Sequence, residues 1–123
     1  MMTRKLKSIA LAGFFLAGLQ IQAQDKITYE DHVLPILRNA CLKCHNPDKM
    51  RADLDLSTYN AVMKGGGGGE VVAGGDADGS FLYQVITHAE EPTMPPNGKL
   101  SDKEIEVFKK WIVGGLLETT GSK

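Results

Sequence analysis

The sequence has 123 residues, enough for one domain of ordinary size and too few for two. Hydrophobic residues make up 42% of it and charged residues 24%, the balance of an ordinary soluble globular domain. Residues 24–123 contain 11 Lys and Arg against 15 Asp and Glu, a formal charge of −4. This charge argues against nucleic acid and anionic membrane surfaces as partners, because both require clustered basic charge.

The first 23 residues have the pattern of a secretory signal peptide. Basic residues within Arg4–Lys7 precede an apolar stretch of 11 residues, Ile9–Leu19, and Ala23 offers a small residue for cleavage. A membrane-spanning helix needs about 20 residues, so stable membrane insertion is expected only if the signal stays uncleaved as an anchor. The sequence therefore predicts a signal peptide over residues 1–23, one domain over residues 24–123, and a periplasmic or otherwise exported protein.

A first amphipathic helix is predicted over residues 28–40. Thr28, followed by Asp31, is a suitable N-cap. Pro35 removes one backbone donor and should bend the helix. The apolar face repeats with helical spacing through Val33, Ile36, Leu37 and Ala40.

The C-terminal helix has the most complete signature. Ser101 and Glu104 form a capping box, and Leu100 with Ile105 occupies the hydrophobic staple positions. The Gly114–Gly115 pair predicts the end of the helix. Its apolar face contains Ile105, Phe108, Ile112 and Leu116, with Trp111 beside it.

Two shorter helices are predicted in the middle of the chain. Ser57 is a candidate cap for a helix through Met63, and Ser80 for a helix over Phe81–Thr87. Gly65–Gly69 is expected to be a flexible loop, and it lacks the Lys-Ser/Thr pair of a phosphate-binding loop. No strand pattern is present, so the predicted fold class is all-α.

The chemistry of the sequence is concentrated in Cys41–His45, a Cys-x-x-Cys-His motif. Two thiols at this spacing can each bond a vinyl group of haem, and the histidine that follows can bind the iron. The predicted cofactor is therefore one covalently attached haem c, with Cys41 and Cys44 as thioether anchors and His45 as an iron ligand.

Three other interpretations of the motif remain open. A disulfide between Cys41 and Cys44 suits an exported chain but leaves His45 unexplained. A thioredoxin-like redox pair requires a βαβ framework, which this sequence does not predict. A zinc site usually requires four ligands, and His32 and His88 lack the paired spacing of such sites.

Met94 is the candidate for the second axial ligand of the iron. It lies within Pro92–Pro96, where prolines keep the chain extended and hold the thioether in position with little ordering entropy. A methionine opposite a histidine raises the reduction potential, which suits an electron carrier. The rival ligands are His88, which lies six residues earlier, and then Met50, Met63 and His32.

The sequence resembles the planctomycete-type cytochrome c haem domain. Its specific elements are the Cys41–His45 motif and Met94-Pro95-Pro96. The resemblance implies a cytochrome c-like fold, in which the terminal helices pack together and loops wrap the haem, with His45 and Met94 as axial ligands. The glycine run is longer than the family's usual loop, and Gly74 stands where a proline is expected. Supporting elements are Tyr29–Ala40, Asn46–Lys49, Leu54–Ser57, Val62–Gly66, Gly75–Ser80, Leu100–Ile105 and Trp111–Ile112.

These features predict a mono-haem electron carrier and not an enzyme. Its acidic charge favours a redox partner with a basic docking patch. A catalytic or sensory haem with an open or displaceable distal ligand is the first alternative, and it would draw polar groups from His88, Glu90 and Glu91. The others are a disulfide-containing structural module and a haem domain that works within a larger exported complex.

Overall fold

The computed structural model describes residues 26–123 and, before them, Gly13 and Gly18 alone. The predicted signal peptide, residues 1–23, therefore lies outside the described part of the chain and stays a prediction. The described residues contain helices and no named strand; the one bridge, between Gly66 and Gly69, is isolated. The all-α prediction is thus confirmed. No helix within residues 26–123 is long and apolar enough to span a bilayer.

The helix predicted over residues 28–40 is built from two helix types. A π-helical turn, Tyr29–Val33, leads directly into the α-helix α1, Leu34–Ala40. Pro35 lies in the first turn of α1, directly after the π-helical turn, and the Leu34 N–H before it still donates to the Tyr29 carbonyl. The helix type changes from π to α just before this proline, at the place where the sequence predicted a bend.

Thr28 caps the π-helical turn as predicted, since its Oγ1 accepts a hydrogen bond from the Asp31 N–H at 3.2 Å. The Thr28 N–H in turn donates to Nδ1 of His32 at 3.0 Å. This hydrogen bond stabilises the start of the helix, so His32 has a local structural role.

The middle of the chain contains a 3₁₀ turn, Arg51–Asp53, and the short helices α2, Tyr59–Lys64, and α3, Phe81–Ile86. Ser80 is the N-cap of α3, but its hydroxyl donates to the Asp76 carbonyl at 2.7 Å and accepts from the Ala73 N–H at 2.8 Å instead of bonding the helix N–H groups. The buried Ser80 side chain thereby ties the preceding loop to the helix start.

The residue that caps α2 differs from the prediction. Thr58, and not Ser57, is the N-cap, and its Oγ1 accepts from the Ala61 N–H at 3.1 Å. Both residues are good capping types, so composition alone did not separate them.

Alanine substitution distinguishes the two candidates. Thr58→Ala should lower the free energy of unfolding by about 1 kcal/mol, because it leaves a helix N–H without its partner. Ser57→Ala is the matched control and should change stability by no more than roughly 0.5 kcal/mol. Denaturant unfolding monitored by circular dichroism measures both variants. Equal losses would show that Thr58 is not the functional cap.

The C-terminal helix α4, Asp102–Val113, confirms the predicted caps, whereas Leu116, predicted on its apolar face, lies beyond the end of the helix. Ser101 and Glu104 form the capping box in both directions, and Gly114 is the C-cap. Leu100 and Ile105 are both buried, as expected for a hydrophobic staple.

The two ends of the described chain pack against each other. The rings of Tyr29 and Trp111 lie 6.0 Å apart. The Tyr29 N–H donates to the Leu117 carbonyl at 2.8 Å, and Nε1 of Trp111 donates to the same carbonyl at 2.9 Å. The predicted packing of the terminal helices is confirmed by these contacts. The most buried apolar side chains are Tyr29, Val33, Leu37, Leu56, Val62, Ile86, Phe108, Trp111 and Ile112.

Candidate functional site

The Cys41–His45 motif forms a tight turn at the end of α1. The Cys41 N–H donates to the Leu37 carbonyl at 2.8 Å, continuing the helical hydrogen bonding for one more residue. The N–H groups of Cys44 and His45 then both donate to the Cys41 carbonyl, at 3.2 and 3.1 Å. The turn therefore holds the two cysteines and the histidine close together. Both thiols are free, with no disulfide between them.

These three residues line a cavity of about 770 Å³, which we call the motif cavity. Its volume lies within the roughly 300–1,000 Å³ typical of pockets for large organic ligands. Its walls are mostly apolar side chains and glycine backbone. They comprise Ala40, Cys41, Cys44, His45, Arg51, Ala52, Leu54, Leu56, Gly66–Gly69, Glu70, Val71, Phe81, Leu82, Val85, Ile86, Pro92 and Met94–Pro96.

The His45 ring is oriented by a backbone carbonyl. Its Nδ1 lies 3.1 Å from the Arg51 oxygen, and because a carbonyl can only accept, Nδ1 carries the proton. In the tautomer with its proton on Nδ1, the other ring nitrogen, Nε2, has the lone pair that can bind a metal. A hydrogen bond of this kind fixes the tautomer and ring direction of a metal-binding histidine.

The Cys41 thiol has a raised pKa and therefore low nucleophilic reactivity. Burial raises its pKa to about 11, and the negative charge of Glu104 adds to the shift. The thiol is therefore protonated at neutral pH, whereas redox-active cysteines have a lowered pKa. This environment does not support a thioredoxin-like role for the pair.

Met94 reaches the motif cavity from the proline-rich loop. It is half-buried and packs against the core, and its backbone N–H donates to the Val85 carbonyl at 3.0 Å. Pro92, Pro95 and Pro96 line the cavity around it. The structure thus brings all four predicted site residues, the two cysteines, His45 and Met94, to one cavity. Their binding to haem stays a prediction.

The rival ligands of Met94 lie elsewhere. His88 is exposed, and its backbone adopts a left-handed conformation with φ 63°. Met50 is 43% exposed, and Met63 packs against the hydrophobic core. None of these three, nor His32, is among the described residues that line the motif cavity.

The glycine run has a defined structure that the sequence did not indicate. Gly66 and Gly69 exchange two backbone hydrogen bonds of 3.0 Å, and the Gly67 N–H donates to the Ala52 carbonyl at 2.9 Å. The glycine run thus forms a hydrogen-bonded turn that packs against Arg51–Asp53 and lines the motif cavity. The sequence had predicted a flexible loop here. A Cβ at Gly66 would lie 2.8 Å from the Ala52 oxygen, too close for an unshifted backbone.

This crowding predicts different effects for two alanine substitutions in the same turn. Gly66→Ala should lower the free energy of unfolding by roughly 1–3 kcal/mol, because the cavity wall must shift. Gly68 has open space around its Cβ position and no positive φ, so Gly68→Ala should be within about 0.5 kcal/mol of the parent protein. Denaturant unfolding compares them. A Gly66→Ala protein as stable as the Gly68→Ala protein would contradict the packing described for this wall.

Arg51, Phe81 and the glycine turn were not predicted as site residues. Phe81 was expected to begin a helix, which it does, but its 44% exposed ring also borders the motif cavity. Arg51 lies at the site because the 3₁₀ turn Arg51–Asp53 folds back onto the motif, where the Arg51 N–H donates to the Cys44 carbonyl. Neither Arg51 nor Phe81 belongs to a sequence motif, so the local sequence pattern could not identify them as site residues.

The site has the parts of a haem-attachment centre. Two thiols, an oriented imidazole and a thioether line one apolar cavity, and these donors fit a covalently bound haem. Within residues 26–123, no group of three or more His, Cys, Asp or Glu is arranged to hold a metal ion, so the zinc interpretation gains no support. The all-α fold and these donors agree with the c-type cytochrome that the sequence predicts.

Comparison with known families supports this class. The family described as Planctomycete cytochrome C matches residues 41–98. This match confirms the resemblance seen in the sequence, over a segment that contains both the Cys41–His45 motif and Met94. The family implies covalently bound haem c. No curated protein and no solved structure matches the chain significantly.

Proposed function

We propose that the chain is a mono-haem c-type cytochrome that carries single electrons between exported redox partners. The observation that supports the proposal best is the motif cavity, which gathers the motif residues and Met94 around one apolar space. When bound, the haem supplies an iron that alternates between the ferric and ferrous states.

The proposed roles of the residues follow from their chemistry. Cys41 and Cys44 anchor the haem through thioether bonds, and His45 presents Nε2 to the iron while the Arg51 carbonyl holds its Nδ1–H. Met94 would bind the iron through its thioether sulfur, from a loop whose backbone is hydrogen-bonded to Val85 of α3.

Apolar walls support the same role. Leu54, Leu82, Val85 and Ile86 line the motif cavity and would exclude water from a haem bound there. A haem surrounded by apolar side chains and bound by methionine has a raised reduction potential. Phe81 at the cavity border offers an exposed apolar contact for a docking partner.

The proposed partner is a redox protein with a basic docking patch. The −4 charge of residues 24–123 would attract such a patch and make association sensitive to salt. The proposed location is the periplasm or another exported compartment.

A catalytic or sensory haem would require polar groups near an open iron position. Of the described residues, His88, Glu90 and Glu91 were the candidates for these groups, and all three are exposed and outside the walls of the motif cavity. No observation in the structure favours this alternative.

Carbon monoxide binding separates the two functions. The protein should be produced with the cytochrome c maturation machinery, and its haem content measured as the pyridine haemochrome. We expect one haem per chain, a reversible one-electron wave, and a ferrous form that does not bind carbon monoxide without denaturant. Stoichiometric carbon monoxide binding by the folded ferrous protein would favour a catalytic or sensory haem instead.

A further inference from the structure

One charged residue of the motif cavity, Arg51, has a side chain with no role in the proposed attachment and ligation of haem. Of the described residues that line the cavity, Arg51 is, apart from His45, the one with a basic side chain and Glu70 the one with a carboxylate. All hydrogen bonds of Arg51 to other described residues run through its backbone, and its side chain is exposed. The guanidinium group is therefore available to an anionic group at the cavity border.

The backbone of Arg51 is fixed beside the motif. Its N–H donates to the Cys44 carbonyl at 3.2 Å, and its carbonyl accepts from His45 Nδ1 and from the Leu54 N–H, both at 3.1 Å. These three bonds hold the root of the Arg51 side chain next to both a proposed thioether anchor and a proposed iron ligand. The start of the side chain is thus positioned beside the motif, and its exposed charged end makes no hydrogen bond to another described residue.

Haem c has two propionate groups, whose carboxylates are ionised near neutral pH. An arginine fork binds a carboxylate through two parallel hydrogen bonds, with more geometric specificity than a lysine. Glu70, on the far side of the glycine turn from α2, would repel the same carboxylates. We propose that the Arg51 guanidinium binds a haem propionate, an inference that rests on the proposed haem attachment.

This pairing would also affect the reduction potential. A positive charge near the iron favours the ferrous state, which has one positive charge fewer. Loss of the Arg51 charge should therefore lower the potential. The effect would be electrostatic and separate from the orientation of His45, since that orientation depends on the Arg51 carbonyl and not on its side chain.

The substitution Arg51→Gln tests the side chain alone, because it keeps the backbone carbonyl. Arg51→Lys restores the charge without the planar fork. Lys49→Gln is the matched control, since Lys49 is an exposed cation two residues away that does not line the motif cavity. The holoproteins should be compared by midpoint potential at several salt concentrations and by the propionate bending mode in resonance Raman spectra.

We expect Arg51→Gln to lower the midpoint potential and shift the propionate mode. Arg51→Lys should recover most of the potential and only part of the Raman shift, and Lys49→Gln should match the parent protein in both. The proposal is overturned if Arg51→Gln leaves the propionate mode unchanged, or if Lys49→Gln moves both readouts as far. A parent protein without covalent haem would instead refute the proposed function, so the two failures are distinguishable.

Discussion

Replacing both Cys41 and Cys44 with alanine should abolish covalent haem attachment. These are the two cysteines of the chain, and both thiols are free at the wall of the motif cavity. Without them no thioether can form, and haem would be held only by His45, Met94 and apolar contact. The measurement is haem content after acidic organic extraction, by pyridine haemochrome and by protein mass. Each single cysteine variant should retain haem through one thioether.

Lys43→Ala is the control for this experiment. Lys43 lies between the cysteines, is exposed, and does not line the motif cavity, so its loss should leave full covalent attachment. A double cysteine variant that keeps haem through extraction would refute the proposed attachment. A parent protein that instead contains a Cys41–Cys44 disulfide and no haem would favour the structural-module interpretation.

The double variant should also be less stable. The motif cavity of about 770 Å³ has mostly apolar walls, and a bound haem would cover them. A group that binds the folded state and not the unfolded state stabilises the fold through its binding free energy. We therefore expect a lower thermal midpoint for the haem-free double variant than for Lys43→Ala.

The sequence predicted the features that depend on local pattern. The capping box of Ser101 and Glu104, the Thr28 cap and the apolar face of α4 each follow from residues within one or two helical turns. The Cys41–His45 motif was recognised for the same reason, because its chemistry is contained in five consecutive residues.

Features that depend on tertiary contact were missed or misplaced. The turn at Gly65–Gly69 is ordered by its contact with the Ala52 carbonyl, which the glycine run itself does not encode. The Arg51 carbonyl bonds His45 because Arg51–Asp53 folds back as a 3₁₀ turn, with left-handed backbone at Ala52 and Asp53. Neither alanine nor aspartate signals that conformation as glycine would.

Met94→Ala should change the iron from a methionine-bound to a methionine-free form while the haem stays attached. The oxidised parent protein should show the weak red charge-transfer band of an iron–methionine bond, and the variant should lose it. Methionine opposite histidine raises the potential, so the midpoint should fall by on the order of 0.1 V or more. The ferrous variant should also bind carbon monoxide, since one axial position would be open.

The chain provides two controls that test the assignment directly. Met50→Ala removes a 43% exposed methionine and His88→Ala removes an exposed histidine, and neither residue lines the motif cavity. Both variants should keep the charge-transfer band and the parent potential. Loss of the band in Met50→Ala, or its persistence in Met94→Ala, would identify a different axial ligand. If the parent protein lacks the band and His88→Ala removes the spectral signature of a second histidine ligand, His88 is the axial ligand. The exposed loop that holds His88 must then move when haem binds, because His88 does not line the motif cavity.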